Sequence, residues 1–195
     1  QEVEAKNKRR MGIGVTGLAN AAAALGYDYG SKDMLSFMTG VMTLLRDEAY
    51  RTSIQLAKEK GAFPLLDEAY SERPFIRALP WKIQDDIAAY GIRNSHLLSI
   101  APTGTISLFA GNISSGIEPP FSLKYDRRTL MGDGSVEWWP IYDYAYDVWE
   151  IKGKTSADLT AQEHIDVLCV ASSLVDSACS KTCNVGDDVK FEDFQ

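Results

Sequence analysis

Asn94-Ser95-His96-Leu97-Leu98-Ser99-Ile100-Ala101-Pro102-Thr103-Gly104-Thr105-Ile106-Ser107 passes from an apolar run into a small, hydroxyl-rich turn. His96, Leu97, Leu98, Ser99 and Ile100 form a short, mostly apolar segment bounded by turn formers, the pattern of a strand buried in a parallel sheet. Pro102 ends such a ladder because it has no amide hydrogen to donate. Gly104 lets the backbone approach a ligand, and Thr103, Thr105 and Ser107 place hydroxyls around it. If residues 105–110 open as a helical turn, their unpaired amides and positive dipole end point to the same place, and an anion is held there without lysine. The same residues also suit a surface turn in which a threonine caps a short helix, and composition alone leaves both readings open.

The turn runs on into Gly111-Asn112-Ile113-Ser114-Ser115-Gly116-Ile117-Glu118-Pro119-Pro120-Phe121. Together with residues 101–107, this block resembles the ribonucleotide reductase catalytic subunit. Arg9-Arg10-Met11-Gly12-Ile13-Gly14-Val15-Thr16-Gly17-Leu18-Ala19 is similar to that family's arginine-glycine helix entry. Asp176-Ser177-Ala178-Cys179-Ser180-Lys181-Thr182-Cys183-Asn184-Val185 is similar to its serine-lysine-threonine-x-asparagine segment. The blocks stand in the family's order over nearly the whole chain, and the Ala-Pro-Thr-Gly-Thr-Ile-Ser wording is most similar to the adenosylcobalamin-dependent class.

The resemblance implies an α/β fold, part of a ten-stranded α/β barrel with long helices flanking short strands, in which residues 1–195 form a single partial catalytic-barrel segment. It implies that Ala101, Pro102, Thr103, Gly104, Thr105, Ile106 and Ser107 are the substrate-binding loop that holds the diphosphate of a ribonucleotide. It also implies adenosylcobalamin as cofactor of the full-length enzyme, and as partners the ribonucleotide and the remainder of the barrel. The family's asparagine-proline-cysteine-glycine-glutamate segment, its carboxy-terminal redox cysteines and the tyrosine pair of its iron-dependent class do not occur in this sequence. No catalytic residue is therefore assigned, and Cys179 and Cys183 take no radical role. The chain by itself is expected to be inactive and to self-associate through strand edges and apolar surface that missing strands would cover. Glu118, Pro119 and Pro120 are expected to be architectural, with Glu118 a candidate for a polar role in the barrel.

Composition fits a piece of a cytoplasmic enzyme. A chain of 195 residues with 45% hydrophobic content can form one sizeable core or two small ones. A formal net charge of -7 argues against a broad nucleic-acid surface, so an anionic nucleotide has to be held by local donors. No apolar run reaches the ~18 residues of a membrane span, and no signal-peptide pattern opens the chain. Three cysteines, an odd number, disfavour a disulfide framework and point to reduced thiols.

Along the chain, alanine-rich residues 14–25 are helix-prone, with Gly26 as the stop. A second helix is expected from Ser31 or Asp33 to Lys60, with Leu35, Met38, Met42, Leu45, Ala49 and Leu56 on its inner face and Gly61 as cap. Pro64, Pro74 and Pro80 imply an irregular connection, after which a short helix reaches about Tyr90. Strands are expected through about Leu130 and over residues 135–138, joined at Asp133-Gly134. Trp138, Trp139, Tyr142, Tyr144, Tyr146 and Trp149 then read as a packed aromatic cluster on a helix after Pro140, with base stacking or a subunit contact as the alternative. A last helix is expected over residues 160–180 with Ile165, Leu168 and Val175 inward, and Cys183-Asn184-Val185 as the start of another strand.

Gly12-Ile13-Gly14-Val15-Thr16-Gly17 has the glycine spacing of a dinucleotide fingerprint, but Lys6, Lys8, Arg9 and Arg10 lead into it where a buried strand is required. Cys179 and Cys183 stand four apart with His164 upstream, yet no second close pair completes a tetrahedral zinc set, so buried thiols are expected. His96 and His164 read as hydrogen-bonded structural residues. Beside the reductase reading stand two others. One is a stand-alone nucleotide- or anion-binding module without redox chemistry, and the other is a structural or assembly domain that docks another chain through its aromatics.

Overall fold

The computed structural model describes residues 1–184. In it the Leu97-Leu98 run is extended and buried, but it does not build a sheet. Ile13 and Leu98 form an isolated parallel bridge. Its hydrogen bonds run from Met11 N to His96 O (2.9 Å), Ile13 N to Leu97 O (2.8 Å) and Ser99 N to Ile13 O (3.0 Å). The amides of Leu97 and Leu98 donate to the Asp176 carboxylate, at 2.7 and 2.8 Å. The expected strand is thus corrected to one bridge: a parallel ladder needs extended neighbours, and here a carboxylate takes the amides a second neighbour would use.

By its contacts the chain divides into two units. Among the described residues, the first comprises Gln1–Gly14, Thr39–Ile100 and Ala171–Cys179; the second comprises Val15–Met38, Ala101–Val170 and residues 180–184.

Helix α1 (Glu2–Lys8) opens the first unit and stops at Arg9, whose left-handed backbone (φ 47°) ends the turn. The Arg9 guanidinium donates to the Ala62 carbonyl. The long helix α3 (Lys32–Lys60) begins in the second unit and ends in the first. Ser31 caps it by accepting from Met34 N. At the other end Gly61 (φ 79°) closes it and Arg93 donates to the Lys60 and Gly61 carbonyls. Its buried apolar residues are Met34, Met38, Met42, Ala49, Tyr50, Ile54 and Ala57, with Ser53 buried among them, so the inner face is rotated from the expected one, and Leu35, Leu45 and Leu56 lie at its margins.

The proline-rich connection is more ordered than its prolines imply. A 3-10 turn (Glu68–Glu72) and α4 (Pro74–Arg77) occupy it, because Pro74 sits at the first helical position, where no amide is needed. Tyr70 and Ile76 anchor these turns in the core. Helix α5 (Trp81–Tyr90) follows with Pro80 as its cap.

In the second unit α2 (Leu18–Ala24) begins at Leu18 rather than at residue 14, since Gly17 (φ 75°) is its cap. Helix α6 (Gly104–Phe109) is preceded by Thr103. Strands β1 (Lys124–Leu130) and β2 (Val136–Tyr142) form an antiparallel hairpin in which Lys124 faces Tyr142 and Leu130 faces Val136. At its tip Gly134 takes φ 84° and Asp133 accepts from the Ser135 amide and hydroxyl. Helix α7 (Tyr144–Trp149) follows.

Trp138, Trp139 and Tyr142 therefore lie on a strand, not a helix, and Trp138, Trp139 and Trp149 are exposed, which corrects the packed-cluster reading. A two-stranded hairpin has no covering layer to bury its aromatics. Helix α8 (Ala161–Leu174) stops short of residue 180, and its buried face is His164, Val167, Ala171 and Leu174, with Ile165 exposed. Cys169 and Cys183 are exposed and Cys179 half-buried, so the buried-thiol expectation is also corrected. Cys183 and Asn184 are not in a strand, and Val185 lies outside the described residues.

The architecture is mixed α/β. Among the described residues it contains one two-stranded sheet and no closed barrel. Among them, too, no helix is long and apolar enough to cross a membrane.

Candidate functional site: a hydroxyl-pinned turn beside a polar cleft

Thr103 adopts φ 50°, a left-handed conformation that a β-branched residue takes only at a cost of about 1–3 kcal/mol. Three hydroxyls hold it there. Thr16 Oγ1 lies 3.0 Å from Thr103 Oγ1 and 3.1 Å from Ser107 Oγ, and those two are 3.3 Å apart. Thr16 donates to the Ser114 carbonyl (3.0 Å), while Thr103 Oγ1 accepts from Gly116 N (2.8 Å). With the Thr16 proton committed to Ser114, Thr103 and Ser107 donate within the cluster, and every hydroxyl proton has an acceptor. Glycine would relieve the backbone strain but supply none of these bonds.

The residues of the turn divide by role. Thr103 and the buried Ser107 spend their hydroxyls on the protein, whereas Gly104, Thr105 and Ile106 are exposed. The first helical bond of α6 runs from Ser107 N to Thr103 O, so the amides of Gly104, Thr105 and Ile106 precede it. Ala101 and Pro102 lie exposed at the entry to the turn.

Gly104, Thr105 and Ser107 line a cleft of about 590 Å³, within the range of small-molecule sites. Its other polar walls include Asn112, Ser114, Ser115, Glu118, Arg127, Asp143, Thr182 and Asn184. A buried asparagine braces one side. Asn20 donates to both Asp143 oxygens (2.9 Å each) and accepts from Ser114 N (2.5 Å), while Asp143 caps α7 at Ala145 N and Tyr146 N. On another side Glu118 accepts from Lys181 Nζ (2.5 Å) and Thr182 N (2.9 Å). Tyr29 donates to the Ile117 carbonyl, and its phenol is raised far above the usual tyrosine range by burial first and by Glu118 second, so it remains a donor.

Thr16, Arg127 and the Asn20–Asp143 brace were not visible as site residues in the sequence. The signal for Thr16 was a hydroxyl inside a run of glycines whose spacing drew attention to a dinucleotide fingerprint. The first two glycines of that run serve close packing instead: a Cβ on Gly12 would lie 2.6 Å from Ser99 Oγ, and one on Gly14 would collide with the Ser99 carbonyl oxygen. The two histidines are engaged locally. His96 Nδ1 is 3.1 Å from Ser95 Oγ, and buried His164 places Nε2 3.2 Å from the Asn184 carbonyl. Among the described residues no three His, Cys, Asp or Glu side chains converge as a metal site requires.

The family model for the ribonucleotide reductase barrel domain matches residues 1–138. The chain belongs to this family. A vitamin B12-dependent ribonucleoside-diphosphate reductase of Mycobacterium tuberculosis is 31% identical over 93% of the chain and 28% of its own length. A protein of the same name from Thermoplasma acidophilum is 30% identical over 95% of the chain and 26% of its own length. The ribonucleoside-diphosphate reductase subunit alpha of Helicobacter pylori is 32% identical over 85% and 24%. The chain thus spans about a quarter of the length of these reductases.

Proposed function

We propose that this chain is a segment of a ribonucleotide reductase catalytic barrel and supplies the seat for the substrate's diphosphate, in a soluble, cytoplasmic enzyme that reduces ribonucleoside diphosphates. Membership of the reductase barrel family and the diphosphate named in the relatives support the class of substrate. The observation that carries the seat is the strained Thr103: a hydroxyl cluster holds it left-handed, and the exposed Gly104 and Thr105 that follow line the 590 Å³ cleft, their amides preceding the first helical bond. Of the substrate-binding loop, Gly104 and Thr105 contact the anion through their amides and Thr105 also through its hydroxyl, while Ile106 continues the helical turn behind them. Ala101, Pro102, Thr103 and Ser107 shape and hold the turn, and Arg127 adds a positive charge to the cleft wall.

The whole protein's reaction breaks the ribose 2′ C–O bond, releases the hydroxyl as water and takes two electrons from a thiol pair, which becomes a disulfide. This chain's part is to fix the sugar by its phosphates, and positioning of that kind lowers a barrier by several kcal/mol. For the cofactor we propose adenosylcobalamin, on the name carried by the Mycobacterium and Thermoplasma relatives; it supplies radical initiation. No residue of this chain is assigned to holding it.

Thr105→Pro tests the seat in the full chain. Proline is tolerated in the first turn of a helix but removes the amide, while Thr105→Ala removes only the hydroxyl. Thr105→Pro should weaken binding of adenosine diphosphate roughly tenfold or more, the worth of one charge-assisted hydrogen bond, and Thr105→Ala by less. Unchanged affinity in the proline variant would remove the seat from this turn.

A further inference from the structure

We propose that Glu118 is a specificity-determining residue of the cleft: its carboxylate accepts hydrogen bonds from the sugar hydroxyls of the bound nucleotide, and buried Lys181 holds it in place to do so. The inference deepens the proposed function and rests on it for the identity of the ligand as a nucleotide.

Glu118 stands between Ile117 and Pro119, both buried, where a charged side chain is costly unless it is paired. Its partner has the opposite exposure. The Lys181 side chain is 1% exposed, whereas that of Glu118 is 26% exposed and lines the cleft. Lysine ordinarily carries its ammonium out to water along a flexible stem. Here the ammonium is sealed in against Glu118, the Thr182 carbonyl (3.4 Å) and the Tyr29 ring (5.4 Å), and the Glu118 side chain is the more exposed end of the pair. A desolvated ion pair is a poor device for stability alone, since an apolar pair of similar volume does as well or better. The open carboxylate is what such a pair provides and an apolar pair cannot.

The remaining capacity of Glu118 follows from its partners. An ionised carboxylate has about four acceptor sites. Lys181 Nζ takes one on Oε2 and Thr182 N one on Oε1, so each oxygen keeps acceptor capacity. An acceptor-only group selects donors, and two adjacent oxygens suit two adjacent hydroxyls, the logic by which an acidic residue holds a ribose in dinucleotide folds. Lys181 also answers the carboxylate's charge, so Glu118 can share a cleft with a diphosphate at lower repulsive cost.

Calorimetric titration of the full chain with adenosine diphosphate, its 2′-deoxy analogue and inorganic pyrophosphate tests the assignment. The wild type should prefer the ribonucleotide over the deoxynucleotide by roughly tenfold or more, because the deoxy ligand leaves an acceptor unpaired. Glu118→Gln should abolish most of that preference while pyrophosphate binds at least as tightly as to the wild type, since the substitution removes a negative charge from the cleft. Because Glu118→Gln strands a buried ammonium, the double variant Glu118→Gln/Lys181→Met removes both charges and guards against misfolding. A merely structural pair predicts that the double variant regains the preference; the proposal predicts that it does not. Absence of the preference in the wild type, or its persistence in a folded double variant, overturns the role of Glu118. Failure of pyrophosphate to bind the wild type counts against the phosphate seat instead, and the adenosine against 2′-deoxyadenosine comparison then reads Glu118 by the same criteria.

Discussion

Replacing Asp176 by alanine removes in one step the acceptor of Leu97 N (2.7 Å), Leu98 N (2.8 Å) and the Tyr50 hydroxyl (2.8 Å). Leu97, Leu98 and Tyr50 are buried, so these donors meet little water unless the unit opens locally. Burial above all, then Tyr70 and Asp176 nearby, raises the Tyr50 phenol far above the usual range and keeps it a donor. A hydrogen bond to a charged acceptor contributes about 1.5–3 kcal/mol, and three sum to roughly 5–9 kcal/mol. Asp176 is itself half-buried, so water can enter the vacated space, and the expected loss falls to about 3–5 kcal/mol. Asp176→Asn keeps one acceptor oxygen and should cost about half as much, and Tyr50→Phe about 1–2 kcal/mol. Urea denaturation followed by far-ultraviolet circular dichroism measures each loss, and a Tyr50→Phe by Asp176→Ala cycle should show a coupling of about 1–2 kcal/mol. A loss under about 1 kcal/mol for Asp176→Ala, or additive single variants, would refute the view that this carboxylate holds the Leu97-Leu98 run.

Gly14→Ala drives a methyl into the Ser99 carbonyl and should cost about 3 kcal/mol or more by the same assay, whereas Gly12→Ala meets a side-chain hydroxyl that can rotate away and should cost about 1 kcal/mol. Thr16→Val deletes the hydroxyl shared by Thr103, Ser107 and the Ser114 carbonyl; a loss of about 2–3 kcal/mol, largely restored in Thr16→Ser, is expected. Acid should destabilise the second unit through His164. Its Nε2–H donates to the Asn184 carbonyl while Nδ1 is buried with no hydrogen-bond partner among the described residues, and burial first, then Lys181, lowers its pKa below the ordinary 6.5. The unfolded chain therefore binds the proton first, so stability falls as the pH drops below about 6.5 until the folded form is also protonated; His164→Gln should flatten that part of the pH profile.

What was legible in the sequence was local. Gly61 after a long apolar period, Asp133-Gly134 at a hairpin and Thr103 before a helical turn all act through backbone dihedrals or bonds within a few residues, and each stands where expected, while Pro80, expected at the first helical position, sits one residue earlier as the cap. The order of the family blocks was legible too, because it is a property of the string itself. The rest depended on partners distant along the chain. Leu97-Leu98 has the composition of a strand, yet whether its amides meet a neighbouring strand or a carboxylate 78 residues away is a question only packing answers. The hydroxyls of Thr103 and Ser107 looked like ligand donors until Thr16, 87 and 91 residues away, claimed them. Glu118 and Lys181, separated by 63 residues, became an open carboxylate on a buried cation only through the fold. Residue type sets what a side chain can donate, accept or bury; which of those capacities remains for a ligand is decided by the contacts that tertiary structure has already used.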